Sequence, residues 1–415
     1  MIQLENRHTA ANLCKEIEGV LSDFTITKKQ IYCVTSDNGR NMVKAVDALN
    51  KEDVASEDPD DSNTEKVMSE VNIFDIKSIR CAAHTLQLAV KDFITDTQLS
   101  EVLGKARALS KILRCPTNRF LLSSQSLLNA EVDTPTRWSS TFRMLEKLCK
   151  LQSFCDIHIP KQNMSQEEWE EVHLLVSVLQ PVHVATKKLQ AEQLYFSDFY
   201  KLWLEMKLEI QAMSSSASKT LVACLENREK GLLQNEVMVS ALYLDPRLRR
   251  ILLPNPIQLM MARNHLKRLM RQIFDVSKKK SNAPAPTQVV TQSSDCSIFS
   301  QEEGTCTLLS NYLNTFEVGS CDEEEDDEEL NSALNQIVDY NPKPVNISVN
   351  LMDYWEDKKY VYPHMYKLAT LCQSVPATQV SVERAFSALK LVLTDLRTNL
   401  SAENLQKILF VKLNQ

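Results

Sequence analysis

The sequence predicts an α/β region joined to a larger, almost wholly helical one, an α/β plus α class. Residues 8–94 alternate helix, strand, helix and strand patterns, and residues 98–275 keep helical spacing nearly without interruption. The third observation is that only 6 of 415 residues are glycine, which leaves few turns that need positive φ. Against the usual ~7%, that scarcity excludes glycine-rich phosphate loops, dinucleotide fingerprints, propellers and collagen. With 43% hydrophobic and 24% charged residues, the chain can bury a sizeable core.

Over residues 8–25, Ala11, Leu13, Ile17, Val20 and Leu21 recur at helical spacing, and QIYCVTS at 30–36 follows as a strand. The strand stops at Ser36-Asp37-Asn38-Gly39, where Asp and Asn can cap the helix continued by Met42, Val43, Val46 and Leu49. The stretch 51–70 carries eight acids against two lysines and is too polar for a core, so it reads as a solvated loop. A second apolar run, VNIFDIKSI, enters the helix CAAHTLQLAVKDFI, so two parallel strands are expected. Within 98–275, stripes such as Phe142, Leu145, Leu148 and Trp203, Met206, Leu208, Ile210 predict a helical domain. Residues 276–346, with SKKKSNAPAPTQ and an acidic run, read as a disordered linker. Helices are expected again at 364–373, 380–396 and 401–413.

The formal net charge of −7 conceals a segregation of charge, because the acidic run at 322–329 alone supplies −8. Residues 245–280 hold ten Arg or Lys against two Asp, a local net of +8 that permits a nucleic-acid partner. Eleven cysteines without a repeated spacing predict reduced core thiols, and no CxxC pair precedes an HxxxH, so no zinc finger can be drawn. No apolar run has the length of a membrane span and the start lacks a signal peptide, so an intracellular protein with no membrane partner is expected.

Four places could carry chemistry. Asp37 ends a strand, where a carboxylate projects either into a cleft or into a turn. Cys81 and His84 share a helix face at i, i+3, suited to a metal or to a buried thiol beside an ordering histidine. Arg137 and Trp138, in DTPTRWSS, set a cation beside a stacking face suited to phosphate and exposed bases, unless the tryptophan packs under its helix. Glu383 lies in a first helical turn, just off the apolar stripe Val382, Ala385, Phe386, Leu389, Val392, Leu393 and Leu396. That stripe could be core or an interface.

VTSDNGRNMVKA (34–45), RCAAHTLQLAVKD (80–92), DTPTRWSST (133–141) and the stretch from YPHMYKLATLC to NLQKILF (362–410) together resemble the hAT superfamily of cut-and-paste DNA transposases and the host proteins derived from them. The resemblance implies an RNase-H-like core, incomplete at its N terminus, interrupted by a large all-helical insertion and followed by a helical C-terminal dimerisation region. The expected organisation is therefore 1–97 as a partial α/β region with its acidic loop, 98–275 as the helical insertion, 276–346 as linker and 347–415 as the dimerisation region that completes the core.

The resemblance also implies a triad of two aspartates and one glutamate that would hold two Mg²⁺, with Asp37 matching the second aspartate and Glu383 the glutamate. Cys81 and His84 match a motif that supports the site and its DNA, and Arg137 and Trp138 match the pair that handles flanking DNA. Val382, Phe386, Leu389, Val392, Leu393 and Leu396 fall to dimerisation. Only 36 residues precede Asp37 and none ends a strand in Asp, so the first aspartate and the family's BED-type zinc finger are missing from this sequence. Catalysis is therefore not expected, nor a stably bound cofactor; Mg²⁺ enters by resemblance alone. The expected protein is nuclear and non-catalytic, pairs with itself or related hAT-like proteins, contacts DNA nonspecifically if at all, and has no small-molecule substrate. The alternative is a piece of an active two-metal transposase whose first exon is absent. A plain scaffold would be indicated by a basic 245–280 segment that is buried or dispersed.

Overall fold

A computed structural model describes residues 7–37, 39–50, 75–95, 97–134, 138–190, 194–281, 328–393 and 400–413. Helix α1 (Ala10–Asp23) starts at Thr9, whose hydroxyl accepts from the Asn12 amide at 3.3 Å. Strands β1 (Cys33–Ser36) and β2 (Lys77–Arg80) pair in parallel with Cys33 opposite Lys77 and Ser36 opposite Arg80. Among the described residues the sheet has these two strands. Helix α2 (Arg40–Leu49) connects towards β2 and buries Val46 and Leu49 against Cys14 of α1 and Ile76, a small core of its own.

Helix α3 (Ala82–Ile94) leaves β2 and buries Leu86, Ala89, Val90 and Phe93 in the main core. The helical body follows: α4 (Thr97–Leu113), α5 (Pro116–Ser124), α6 (Trp138–His158), α7 (Gln166–Leu189), α8 (Phe196–Ala212), α9 (Ser216–Leu232), α10 (Glu236–Leu244) and α11 (Pro256–Ser281). Helix α7 begins with a capping box, Ser165 receiving the Glu168 amide while the Glu168 carboxylate accepts from the Ser165 amide at 2.9 Å. On α8, Trp203, Met206 and Ile210 are buried, whereas Leu208 of the expected stripe faces solvent because it lies off their i, i+3, i+7 face. Helix α10 is buried from Val237 to Leu244 and is the centre around which the others pack.

The C-terminal region comprises α12 (Glu328–Asp339), α13 (Leu351–Lys358), α14 (Pro363–Gln373), α15 (Val380–Val392) and α16 (Ala402–Leu413). It is bound tightly to the helical body. The Tyr243 hydroxyl donates to Ile337 O at 2.6 Å, Trp355 Nε1 to Leu244 O at 3.1 Å and Gln373 Nε2 to Ala241 O at 2.8 Å. One continuous core runs from Ile79 to Ala377.

Two expectations change. The linker assigned to 276–346 is folded at both described ends: α11 reaches Ser281, and α12 buries Ala333 and Ile337, with Tyr340 following at 4% exposure. The acidic run masks this amphipathic helix in the sequence, since two of its acids, Glu328 and Glu329, favour the positive end of the helix dipole. Residues 282–327 and the acidic loop 51–70 lie outside the described residues. The boundary expected at 97 does not separate one core from another either, because α3 packs on α9 and joins the same cluster as the helical body.

Candidate functional site

The candidate site lies at the C-terminal ends of the two strands, where β1 hands over to Asp37 and β2 to Cys81. The Asp37 carboxylate accepts from the Gly39 amide at 3.1 Å and so shapes the turn into α2. A Cβ on Gly39 would stand 2.8 Å from Asp37 Oδ1, so a larger residue there would push the Asp37 carboxylate out of this turn. Across the same ends runs the segment 376–379. Thr35 Oγ1 donates to Pro376 O at 2.7 Å, the Ala82 amide to Ala377 O at 2.8 Å, and Gln379 Nε2 to Thr35 O at 3.0 Å. The Gln379 amide donates to Cys81 Sγ at 3.4 Å. These bonds bring together residues nearly 300 or more positions apart and set the start of α15 beside Thr35 and Cys81, with Glu383 in its first turn. Gln379 and Thr35, which form the joint, were not among the sequence candidates. Their one signal was that they fall inside stretches that resemble the family.

The surroundings of the predicted residues limit their chemistry. Cys81 is 4% exposed, with its sulfur accepting a backbone hydrogen bond, and His84 is half-buried one turn on. Among the described residues no three His, Cys, Asp or Glu side chains converge on a metal-sized space. Asp37 and Glu383 are both exposed, and the former is engaged in its own turn. Two carboxylates with no third donor do not fit a two-metal centre, in which shared carboxylates hold ions ~3.5–4 Å apart.

Underneath the sheet, charges are paired rather than presented. Glu236 bonds Lys77 of β2 at 2.8 Å, Arg268, and lies 3.4 Å from His265 Nδ1, while Tyr32 OH meets His265 Nε2 at 2.9 Å. Burial works to raise the Glu236 carboxyl, but its bonds from His265 and Lys77 outweigh burial and hold it well below the usual carboxylate range. His265 is pushed down by burial, which keeps the ring neutral near pH 7.

Trp138 is buried at the start of α6 with its ring edge-on to His183 at 6.4 Å, so it presents no open face to a base. Arg137 lies outside the described residues. Just upstream, Arg107 grips Asp133 with two nitrogens at 2.8–3.0 Å and Thr141 adds a third bond at 2.9 Å. Burial opposes the Asp133 charge, yet these bonds win and keep its carboxyl below the ordinary value.

Several arginines of the basic stretch 245–280 are partly buried and paired. Arg247, its side chain 4% exposed, bonds Asp245 at 2.7 Å and Asp198 at 2.8 Å. Arg249 lies 4.8 Å over the Tyr243 ring and donates to Tyr340 O at 2.6 Å; Arg263 donates to Val338 O at 3.1 Å, and Arg268 pairs with Glu236. Arg249 and Arg263 thereby tie the C-terminal end of α12 to the helical body. Four of the ten cations of this stretch are therefore engaged within the protein, while Arg250 and Arg271 are exposed.

The C-terminal helices differ. Helices α15 and α16 pack on each other and bury Val380, Ala388, Val392 and Leu409. Val382, Phe386 and Leu393 stay exposed, with Leu389 half-buried between them, at the i, i+4, i+7 and i+11 positions of one face. Ile408, Phe410 and Val411 of α16 are also exposed. Val392, expected in that stripe, turns inward to α16, and Leu396 lies outside the described residues.

Comparison with known proteins bears on this face. Residues 329–414 match the hAT family C-terminal dimerisation region, and residues 79–178 match the ZBED1 RNase-like helical domain. Over these two stretches the chain is similar to proteins of the hAT family. Its hAT dimerisation region starts at α12, not after residue 346, which agrees with the folded 328–346 segment. Among curated relatives, the human zinc finger BED domain-containing protein 4 is 22% identical over 359 residues, 81% of this chain and 29% of that protein. The zinc finger BED domain-containing protein DAYSLEEPER of Arabidopsis thaliana is 22% identical over 296 residues, 67% of this chain and 40% of that protein. A Talaromyces stipitatus protein, tpeD, whose name describes a transcriptional regulator, is 26% identical over 221 residues, 45% of this chain and 25% of that protein. The chain thus spans between a quarter and two-fifths of the length of these relatives.

Proposed function

We propose that this hAT-derived chain acts without catalysis, by associating with a second copy or a related hAT-like protein through α15 and α16, in the nucleus. The observation that carries the reading is the apolar face of Val382, Phe386, Leu389 and Leu393, exposed in a region that matches a hAT dimerisation region. Exposed apolar faces of this kind mark interfaces. The parallel strand pair with Asp37 at its end, joined through Gln379 to the helix that carries Glu383, is read as the remnant of an RNase-H-like core. Among the described residues Asp37 and Glu383 gather no third metal donor, so no strand-transfer step is assigned to them. Arg247, Arg249, Arg263 and Arg268 of 245–280 are spent on contacts within the protein and are not offered to DNA.

Sedimentation of the full chain at micromolar concentration tests this. A dimer is expected, and Phe386→Asp with Leu393→Asp should convert it to monomer with an unchanged helical circular-dichroism signal, since both side chains are exposed in one copy. Truncation of a central interface aromatic typically costs ≥ ~2 kcal/mol, about a 30-fold weaker association. A wild-type chain that sediments as monomer defeats the reading.

A further inference from the structure

The second strand has an open outer edge. Lys77 N donates to Tyr32 O at 3.1 Å and Cys81 N to Ser36 O at 2.7 Å, on a register that sets Thr35 opposite Ile79. Residues 77, 79 and 81 therefore spend their backbone groups on β1. Ser78 and Arg80 direct theirs the other way, because alternate residues of a strand bond to opposite sides. Ser78 O accepts from Asn235 Nδ2 at 3.2 Å. No partner among the described residues meets the Ser78 amide or the Arg80 amide and carbonyl.

This edge lies in a cleft of about 320 Å³. Val43 of α2, Phe196 of α8, Leu232 of α9 and Met238 of α10 contribute apolar walls, and Ser78, Ile79 and Arg80 line it from the strand. The charges at the edge are unequal. Lys77 is committed to Glu236 at 2.8 Å, whereas exposed Arg80 has no carboxylate partner among the described residues.

A ligand that satisfies the Ser78 and Arg80 amides together must offer acceptors two residues apart, roughly 6.6 Å at ~3.3 Å per residue. Another extended main chain repeats its carbonyls at that interval, and its alternate side chains would meet the apolar walls. We propose that this cleft takes an extended peptide segment of a partner protein, added as a third strand along β2, with an Asp or Glu side chain set against Arg80. The inference is independent of the association through α15 and α16.

The test uses the full chain and fluorescein-labelled acetyl-Val-Thr-Glu-Val-Thr-amide, followed by anisotropy. Two controls accompany it: the same peptide with Lys for Glu, and the Glu peptide N-methylated at alternate amides. Saturable binding of the Glu peptide is expected, about tenfold weaker for the Lys peptide and lost on N-methylation. Arg80→Glu should reverse the charge preference, and Arg80→Gln, which keeps the shape, should abolish the preference if the reversal variant fails to fold. Binding indifferent to N-methylation or to both Arg80 variants, or no binding at millimolar peptide, overturns the proposal. So does self-association that Arg80→Glu disperses and Phe386→Asp leaves intact, since the edge would then pair with a second copy.

Discussion

Arg247→Gln separates a folding role for the basic stretch from a nucleic-acid role. The Arg247 guanidinium reaches four acceptors: both Asp245 oxygens at 2.7–2.9 Å, Asp198 Oδ1 at 2.8 Å and Val349 O at 3.1 Å. Asp245 is fully buried and otherwise accepts from Ser197 Oγ at 2.7 Å and from the Arg247 backbone amide at 2.9 Å. Glutamine can replace one or two of the side-chain bonds and none of the charge, so a buried carboxylate loses its cation. Breaking such a pair costs ~3–5 kcal/mol. In a chain of this size that lowers the melting midpoint by on the order of 3–6 °C. The exposed Arg250 and Arg271 provide the comparison, and Arg250→Gln and Arg271→Gln should each stay within ~0.5 kcal/mol of wild type. Urea titration followed by tryptophan fluorescence reads stability, and anisotropy with a mixed-sequence duplex at two salt concentrations reads affinity. The reasoning is refuted if Arg247→Gln melts like wild type while weakening DNA binding and lowering its salt slope.

His183, His265 and His364 are each pushed below the ordinary histidine range, burial being the main cause. Unfolding lets them take up protons at an ordinary pKa near ~6.5, so they contribute stability above that pH and the contribution is lost as pH falls below it; urea midpoints should decline from pH 7 to pH 5, and a flat profile contradicts this. Burial pushes the Cys372 and Cys155 thiols up to about 12, so maleimide at pH 8 should label them only on unfolding. Asp37→Ala should cost about 0.5–1 kcal/mol through the lost Gly39 bond. Millimolar Mg²⁺ should leave the wild-type midpoint unchanged; a rise in that midpoint that disappears in both Asp37→Asn and Glu383→Gln would restore a metal centre.

Much of the architecture is legible locally. The helix at 82–94 and the strand at 33–36 follow from apolar spacing, the turn at Asp37 from its own carboxylate, and the helix starting at Ala402 from Ser401, whose hydroxyl accepts from the Asn404 amide at 3.3 Å. Charge was the misleading quantity. The count over 245–280 treats every arginine alike, but Arg247 and Arg249 serve acceptors on α8, α12 and the loops after them, which no local window contains. The acidic run likewise obscured α12, whose buried side is decided by Tyr243 and the other residues packed around it.

The sequence by itself determined the helical bias, the two parallel strands and the similarity to hAT proteins, because these rest on short-range periodicity, composition and matching stretches. Only the tertiary structure decided that Gln379 joins Cys81 to the strand end, that Trp138 is core and that Val392 turns inward while Phe386 does not. It also decided which arginines are spent on folding. The physical reason is that burial and hydrogen-bond partnership belong to pairs of residues, and here the deciding pairs, such as Thr35 with Gln379 and Tyr243 with Ile337, are about 90 to 340 positions apart.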